Sequence, residues 1–392
     1  MKILMLHGHY SIIGGAEISI NYQMAKLRER GHEILLFCFG DNNIDDKNLI
    51  VIKEPKSRFF RYIYQFLINP KGYARLKRTI KSFNPDIIHL HNIDKHILTF
   101  LLPIKNYKTI RTIHDFGIVC PSFWGVHKDD QEVCDQGIGI KCLMHKCINP
   151  LVYPFYYYLF RIKHYFQEKR VDSFIVPSEL LKEYMKQQGF RSISVFPNFT
   201  IPRGDIHGNS FKKNILFTGK LEANKGCESL IRAFSIVIEN IPDAALTLVG
   251  CGADESKLKK LSERLEIDKK IKFAGSVPNN EMEKYYMNSA VVVVPSICMD
   301  NSPMVIYEAL SFGKPVIATN RGGIPELIKA GYNGYLVDAN HPKEMADAIV
   351  NILNKNNIEL YRVIAENAIV SSRKYDINRY IDNLEMTYRR LF

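Results

Sequence analysis

Residues 295–308, PSICMDNSPMVIYE, follow a short apolar run at 290–294 that has the composition of a buried β-strand. Ser302 and Pro303 are helix-start signals, so the stretch predicts a strand, a loop and a helix whose first turn faces the loop. Such a helix start presents backbone N–H groups and the positive end of a dipole, which favours an anion or sugar hydroxyls. Asp300 and Glu308 could direct two carboxylates into one crevice, although a solvated aspartate and a salt-bridged glutamate explain the pattern equally well.

The same strand, glycine turn and helix recur along both halves of the chain. A strand at 2–6 precedes Gly14, Gly15 and a helix to residue 30, and a strand at 214–220 precedes a helix to residue 239. This alternation predicts an α/β protein with parallel, doubly wound sheets. The polar stretch 201–213 predicts a linker, so we expect one domain at 1–205 and a second at 206–375. The closing helix, in 376–392, is long enough to cross back over the first domain.

The composition excludes several classes of protein. Lys and Arg number 53 against 41 Asp and Glu, so the net charge of +12 predicts attraction to anions. No segment approaches the roughly 20 apolar residues of a membrane span, and no secretory signal is expected. Eight cysteines then predict reduced thiols in a cytoplasmic protein.

Two segments, 56–81 and 151–170, interleave basic and aromatic residues. The second reads LVYPFYYYLFRIKHYFQEKR. This composition is typical of an interfacial helix on an anionic membrane, but a helix that packs by its aromatic face and exposes its basic face has it too. Nucleic-acid binding uses the same residue types, yet no recognition motif accompanies them, so no nucleic acid is expected as a partner.

The first half offers three further candidate features. Gly14 and Gly15 allow close backbone approach, either to a phosphate or sugar or to a neighbouring loop. His114 follows a strand, where substrate-contacting groups of parallel sheets lie, although a histidine there is often structural. Four cysteines fall within a short segment and suggest either a structural zinc site or unligated thiols: Cys120, Cys134, Cys142 and Cys147.

In the second half, Gly219 ends a strand and two lysines follow it. Lys220 and Lys225 flank a loop that precedes a helix, where two ammonium groups could hold a diphosphate, although surface lysines are common. No DxD triplet is present, so the sequence gives no reason to expect a catalytic metal or a required cofactor.

The ordered set of motifs resembles the GT-B fold retaining glycosyltransferases of glycosyltransferase family 4. The motifs span nearly the whole chain: GGAE at 14–17, His114-Asp115, Pro177-Ser178, Pro197-Asn198, Gly219-Lys220-Leu221, Lys225-Gly226, and the run from PSICMDNSPMVIYEAL through GKPVIATNRGGIPELI to NGYLV. The resemblance implies two Rossmann-like domains that face a cleft, an acceptor-binding domain first and a donor-binding domain second. It also implies a hexosyltransferase that works without a metal.

The resemblance also implies roles for individual residues. Lys220 and Lys225 would neutralise the diphosphate of a UDP- or GDP-sugar, which is a co-substrate, and Glu308 would accept the ribose hydroxyls. Asp300 stands where the family usually has glutamate, and Gly14, Gly15 and His114 would approach the donor from the first domain. Backbone N–H groups in one short stretch would cradle phosphate and sugar: Asn301, Ser302, Pro303, Met304 and Val305.

The acceptor is expected to be a membrane-associated glycan or a polyprenyl-diphosphate-linked one, because the basic and aromatic segments lie in the first half. We therefore expect the protein to lie on the inner face of the cytoplasmic membrane and to act in lipopolysaccharide, capsule or other cell-surface polysaccharide biosynthesis. Two alternatives remain open: a GT-B-like sugar-nucleotide epimerase or phosphorylase, and a non-enzymatic basic protein that binds membranes.

Overall fold

The computed structural model of the protein describes residues 1–8, 15–40, 48–55, 57, 60, 64, 67–135, 137–200 and 212–392. The chain forms two compact units. The first contains Met1–Pro197 and Asn378–Phe392, and the second contains Asn198–Ile377. The domain boundary expected at 205 and 206 falls within residues 201–211, which lie outside the described residues.

The second unit begins at Asn198, before the polar stretch 201–213, because two hydrogen bonds hold residues 198–200 to it. The side-chain amide of Asn198 donates to the Ser302 carbonyl at 2.8 Å, and the N–H of Thr200 donates to the Tyr375 carbonyl at 2.7 Å. Residues 198–200 are therefore anchored to the second unit, although their sequence reads as the end of the first.

The first unit contains a parallel sheet with helices in the connections. In the described residues the strands are β1 (Lys2–His7), β2 (Glu33–Gly40), β3 (Leu49–Lys53), β4 (Ile87–His91), β5 (Lys108–Thr112), β6 (Ser173–Val176) and β7 (Ile193–Val195). Their order is β3-β2-β1-β4-β5-β6-β7. The helices are α1 (Gly15–Glu29), α2 (Pro70–Phe83), α3 (Ile97–Leu101), α4 (Lys141–Met144), α5 (Tyr153–Arg170) and α6 (Glu179–Gln187). Strand β4 is buried along its whole length, as expected for a parallel strand that helices cover on both faces.

The second unit repeats this plan. Its described strands are β8 (Asn214–Thr218), β9 (Ala245–Val249), β10 (Ile271–Gly275), β11 (Val291–Val294), β12 (Val316–Thr319) and β13 (Gly334–Val337), in the order β10-β9-β8-β11-β12-β13. The helices are α7 (Cys227–Asn240), α8 (Glu255–Arg264), α9 (Glu283–Met287), α10 (Met304–Ser311), α11 (Pro342–Leu353) and α12 (Ile358–Ser372). All strand pairs in both sheets are parallel. The predicted α/β class with two doubly wound sheets is confirmed.

Strand β11 shows why an uninterrupted valine run suits this fold. Val291 and Val293 point into one buried cluster with Phe234 of α7, whereas Val292 and Val294 point into the opposite cluster with Ile306 of α10. Both faces of the strand are covered, so every position is apolar.

Each sheet has one point where the strand order reverses, between β1 and β4 in the first unit and between β8 and β11 in the second. Loops that leave neighbouring strands at such a point diverge to opposite faces, which opens a crevice at the carboxyl ends of the strands. The crevice in the second unit is bounded by the loops after β8 and β11, which carry the lysines and Asp300.

The last helix, α13 (Ile377–Arg389), returns to the first unit. Tyr388 is fully buried, and its hydroxyl lies 2.8 Å from Nδ1 of His89 on β4. Asp382 and Glu385 contact the Arg30 guanidinium, which follows α1.

The two basic and aromatic segments differ in how far the structure describes them. Most of the segment at 151–170 forms α5, which begins at Tyr153, so the predicted helix is present. In the segment at 56–81, residues 56, 58, 59, 61–63, 65 and 66 lie outside the described residues, and α2 accounts for the part after residue 69. Within the described residues, no helix combines the length and the apolar character that crossing a bilayer requires.

Candidate functional site

The loops after β8 and β11 contact each other through backbone. The carbonyl of Asn224 accepts hydrogen bonds from the N–H groups of Ile297 and Cys298, at 2.9 and 3.2 Å. Gly226 has a φ of 71°, and a Cβ there would lie 1.8 Å from the Pro295 carbonyl oxygen. Only glycine fits this contact, which holds Lys225 next to the loop that carries Asp300.

Lys225 and Asp300 form an ion pair at the carboxyl end of the sheet. Nζ of Lys225 donates to Oδ2 of Asp300 at 2.5 Å, and the Ser296 hydroxyl donates to the same oxygen at 3.0 Å. Burial acts to lower the pKa of Lys225, but the attraction of Asp300 outweighs it and raises that pKa above its ordinary value. The side chain therefore carries a full positive charge at neutral pH.

Backbone contacts from the loop after β12 support Asp300. Gly323 donates its N–H to the Asp300 carbonyl at 2.9 Å. Gly322 has a φ of 62°, and a Cβ there would lie 2.2 Å from the same carbonyl oxygen. The paired glycines thus fix the backbone from which the Asp300 side chain reaches Lys225.

The start of α10 differs in detail from the sequence prediction. The helix begins at Met304 with Pro303 at the N-cap position, and no side chain caps it. The Ser302 hydroxyl lies 2.6 Å from the Tyr307 hydroxyl instead, because this buried phenol needs a partner. Ser302, which the sequence offers as a helix-start signal, therefore does not cap α10. Asn301 and Ser302 are buried, whereas Pro303, Met304 and Val305 are partly exposed, so the uncapped first turn borders solvent.

Glu308 lies on α10 and is oriented by a residue that the sequence did not single out. The Tyr286 hydroxyl donates to Oε2 of Glu308 at 2.5 Å, and the Tyr286 ring stacks on Phe312 with centroids 4.9 Å apart. Tyr286 is on α9, so the contact is purely tertiary and has no local sequence signal.

The other predicted residues of the second unit are also at the carboxyl end of its sheet. Gly219 follows β8 and donates its N–H to the Val249 carbonyl at 2.9 Å. Lys220 is exposed. The structure therefore brings Lys225 and Asp300 into contact, and it leaves Lys220 on the surface of the same loop.

In the first unit, histidines line the carboxyl ends of β1 and β4. Nδ1 of His91 lies 3.1 Å from Nε2 of His114, and Nε2 of His7 lies 3.2 Å from a carboxylate oxygen of Glu17. Burial lowers the pKa of His114 to about 3, with a further contribution from His7, so the imidazole is neutral near pH 7. His7 and His91 end the adjacent strands β1 and β4 at the point of order reversal, where a parallel sheet places its ligand-contacting groups.

Asp115 and the paired glycines Gly14 and Gly15 are the remaining candidates of the first unit. Asp115 has its pKa raised to about 6 by burial and by nearby Asp94. Gly15 opens α1 and is exposed, whereas Gly14 lies outside the described residues.

The four clustered cysteines line one small cavity together with His127. All are thiols, and Cys120, Cys134 and Cys142 are buried. No three of their sulfur atoms lie within 4.8 Å of one another; among the residues that the structure describes, His127, Asp130 and His145 are the ones grouped that closely.

Both halves of the chain match models of known protein families. The family model described as Glycosyltransferase Family 4 matches residues 13–202, and the one described as Glycosyl transferases group 1 matches residues 205–370. An uncharacterised glycosyltransferase of Methanocaldococcus jannaschii is 25% identical over 100% of this chain and 99% of its own length. Another, from Haemophilus influenzae, is 30% identical over 52% of this chain and 56% of its own length, so that match spans only about half of the relative.

A solved structure shares the fold. The crystal structure of the Anabaena protein HepE in complex with UDP-glucose aligns over 100% of both chains with a TM-score of 0.74 and 19% sequence identity. The two family models together account for most of the sequence, and the two doubly wound sheets agree with them: the chain belongs to glycosyltransferase family 4 and has the GT-B fold.

Proposed function

We propose that this glycosyltransferase transfers a sugar from a UDP- or GDP-sugar, with retention of anomeric configuration, to a membrane-associated glycan or lipid-linked acceptor. The observation that carries the donor half of the proposal is the Lys225–Asp300 pair at the crevice of the second sheet. A diphosphate leaving group requires positive charge that is already in place when the bond breaks. The paired ammonium meets that requirement.

Each group at this crevice has a role in the proposal. Lys225, together with Lys220 from the same loop, neutralises the diphosphate, and the uncapped first turn of α10 offers N–H groups to phosphate or sugar oxygens. Glu308, held by Tyr286, accepts the ribose hydroxyls. Asp300 positions Lys225, because its carboxylate is already engaged by that ammonium.

The reaction breaks the bond between the anomeric carbon and a diphosphate oxygen and forms a bond from that carbon to an acceptor hydroxyl on the same face. The hydroxyl proton passes to the departing diphosphate. The pyrophosphate group thus acts both as leaving group and as base, and the lysines stabilise the charge that develops on it.

Thermal-shift titration with UDP-, GDP- and ADP-sugars tests the donor half. A donor at 100 times its dissociation constant should stabilise the wild type by about 2.7 kcal/mol, and the preferred base identifies the nucleotide. Lys225→Met and Glu308→Gln should lose most of that stabilisation. Lys213→Met is the matched control, because Lys213 also pairs with an aspartate at 2.5 Å but precedes β8, at the opposite end of the strand. Equal stabilisation of Lys225→Met and wild type would contradict the proposed donor site.

The surface of α5 supports the membrane half of the proposal. Phe155, Tyr158 and Tyr165 are 57–65% exposed and recur at helical spacing, so they lie along one side of the helix. Leu151, just before the helix, is 91% exposed, and Arg161 is exposed in the same segment. Large apolar side chains beside a cation suit the interface of an anionic bilayer. We therefore propose peripheral association with the inner face of the cytoplasmic membrane, in cell-surface polysaccharide biosynthesis.

Vesicle flotation tests this association. Wild type should float with vesicles that contain phosphatidylglycerol and should float less with pure phosphatidylcholine. A variant with serine at positions 155, 158 and 165 should stay at the bottom of the gradient. The control carries serine in place of Val363 and Val370, which are 52% and 50% exposed on α12 of the second unit. Unchanged flotation of the α5 variant would refute the membrane proposal and leave the donor proposal standing.

A further inference from the structure

His7 and Glu17 form a hydrogen-bonded pair at the carboxyl end of the first sheet. His7 ends β1 and is fully buried, and Glu17 lies in the first turn of α1. Nε2 of His7 lies 3.2 Å from Oε1 of Glu17, and Nδ1 of His7 lies 3.1 Å from the His91 carbonyl oxygen. Each ring nitrogen of His7 therefore faces an oxygen atom.

The pair carries two opposite charges. Burial acts to raise the pKa of Glu17, but the hydrogen bond and the charge of His7 outweigh burial and lower that pKa below its ordinary value. Glu17 is therefore ionised at neutral pH, and its place in the first turn of α1 also suits a negative charge. Carboxylate and carbonyl oxygens only accept hydrogen bonds, so both ring nitrogens of His7 must donate, and His7 is an imidazolium.

Backbone contacts fix the position of this ion pair. His7 lies opposite His91 in the parallel register of β1 and β4. A Cβ on Gly8 would lie 2.1 Å from the Asn92 carbonyl oxygen, so the chain segments that leave the two strands touch each other directly after that position. The His91 carbonyl orients the imidazolium, and the imidazolium orients Glu17. Two strands and a helix thus position the carboxylate, and such regular elements hold a binding group precisely.

His114 lies beside the pair and reaches the surface as well. Its Nε2 lies 3.1 Å from Nδ1 of His91, and its neutral imidazole is partly exposed. The Glu17 side chain is 14% exposed, whereas His7 and His91 are fully buried. Of these four side chains, a ligand can therefore touch the carboxylate of Glu17 and the imidazole of His114.

These two groups favour one class of ligand. A carboxylate repels a phosphate or diphosphate and accepts a charge-assisted hydrogen bond from a hydroxyl group. An uncharged imidazole also exchanges hydrogen bonds with hydroxyl groups. Stability alone gives little reason for the pair, because replacing a buried ion pair by apolar residues is often neutral or stabilising. The exposed groups at this end of the sheet thus suit the hydroxyls of a sugar.

We propose that Glu17 accepts a hydrogen bond from a sugar hydroxyl of the acceptor glycan, and that His7 is the positioning residue that keeps Glu17 oriented and ionised. This inference rests on the proposed transfer to a glycan, and it assigns the glycan part of the acceptor, not a lipid diphosphate, to the carboxyl end of β1 and β4. Glu17 is a weak base because its pKa is lowered, so it orients the hydroxyl and leaves the proton to the departing diphosphate.

Transfer into membranes tests the role of Glu17. Washed membranes from a deletion strain of the source organism supply the natural acceptor, and the radiolabelled donor is the one that thermal-shift titration identifies. Glu17→Gln keeps the shape of the side chain and removes its charge. Its kcat/KM for the membrane acceptor should fall about tenfold or more, the effect of losing a hydrogen bond to a charged group, whereas stabilisation by the donor should match wild type.

Glu385→Gln is the matched control. The Glu385 side chain is 15% exposed and lies 2.7 Å from Nε2 of His32, so it resembles Glu17 in burial and in its partner. His32 directly precedes β2, at the opposite end of the sheet from the proposed site. Transfer by Glu385→Gln should therefore match wild type, and circular dichroism checks that each variant folds.

The pH dependence separates positioning by His7 from a merely structural role. In His7→Gln the charge that lowers the pKa of Glu17 is gone, so burial dominates and that pKa rises. The acidic limb of the transfer rate should then move to higher pH than in wild type. His114 also faces Glu17, but its pKa of about 3 keeps it neutral over this limb.

The outcomes distinguish this inference from the proposed function. Unchanged kcat/KM in Glu17→Gln, equal losses in Glu17→Gln and Glu385→Gln, or an acidic limb that stays in place in His7→Gln would each overturn the inference and leave the donor site standing. A wild type that the donor stabilises but that labels no membranes would overturn the proposed acceptor and this inference with it. If His7→Gln does not fold, the comparison of the two glutamate variants decides.

Discussion

Asp300 has a side chain one methylene group shorter than the glutamate that the family resemblance implies, and its contacts give it a different role. The family resemblance expects glutamate here, with a contact to the donor sugar. In this chain the shorter carboxylate is engaged by Lys225 at 2.5 Å and by the Ser296 hydroxyl at 3.0 Å. At this position the side chain sets the location and charge of the lysine.

We predict that Asp300→Asn lowers kcat/KM about a hundredfold and shifts the alkaline limb of the pH profile to lower pH. In the proposed reaction the ammonium form of Lys225 is the active one, and Asp300 raises its pKa against the opposing effect of burial. Without the carboxylate, burial dominates and the lysine loses its proton at lower pH; the size of the rate effect is that of removing one preorganised charge stabiliser.

Steady-state rates between pH 6 and pH 10 measure this effect: the pKa of Lys225 in wild type lies above this range, so wild type should lose no activity to its deprotonation there, whereas the alkaline limb of Asp300→Asn should fall within it. Asp300→Glu restores the charge and should recover most of the activity, with an alkaline limb close to that of wild type. Ser296→Ala should change the profile little, because it removes a neutral hydrogen bond to the same oxygen. An alkaline limb that stays in place in Asp300→Asn would exclude a positioning role for Asp300.

The positions of residues that belong to a local sequence motif could be predicted from the sequence. Hydrogen bonds between residues on separate elements could not. Lys225 and Asp300 lie in loops that follow strands, and Glu308 lies in the helix after the second loop, so motif and spacing predicted which element carries each of them. Tyr286 reaches Glu308 from another helix, and the Ser302 hydroxyl turns to Tyr307 instead of capping α10. No local rule anticipates either hydrogen bond, because each depends on how separate elements pack.

At the scale of elements, the site depends on how closely the loops after β8 and β11 approach. Their contact uses backbone atoms of Asn224, Pro295 and Ile297. Alternating strands and helices predicted the order of the elements and the class of the sheets. The sequence could not predict this contact distance, which is set by the left-handed turn at Gly226.

Gly226→Ala should therefore destabilise the second unit by about 2 kcal/mol or more and weaken donor binding. The new Cβ would meet the Pro295 carbonyl oxygen at 1.8 Å, so the loops must separate, and the φ of 71° adds strain.

Gly331→Ala is the matched control, since Gly331 has the same φ of 71° but nothing within 4 Å of a Cβ. It should show only the backbone strain of about 1–2 kcal/mol and normal donor binding. Urea unfolding and donor titration measure both quantities; equal losses in the two variants would mean that the loop contact contributes nothing.

At the scale of the whole molecule, the two units are not consecutive in sequence. The first unit is completed by the last fifteen residues, Asn378–Phe392, although the second unit lies between them and Pro197. Ile381, Leu384 and Tyr388 of α13 are fully buried. The first unit therefore includes α13 in its core, in agreement with the expectation that a long closing helix crosses back over the first domain.

Truncation after Ile377 should unfold the first unit and leave the second folded. Each large side chain buried by α13 contributes about 1.5–3 kcal/mol, so losing three removes a large share of the 5–15 kcal/mol that stabilises a typical domain. Limited proteolysis with mass spectrometry measures this: cleavage should spread through Met1–Pro197, while Asn198–Ile377 stays protected.

The control ends at Arg389 and removes only three residues, of which Phe392 is 71% exposed, so its proteolysis should match that of wild type. Tyr388→Phe should give an intermediate result, because it keeps the buried ring and loses the hydroxyl that lies 2.8 Å from His89. If the chain truncated after Ile377 instead resists proteolysis in both units, α13 is dispensable and the first unit folds from Met1–Pro197 alone.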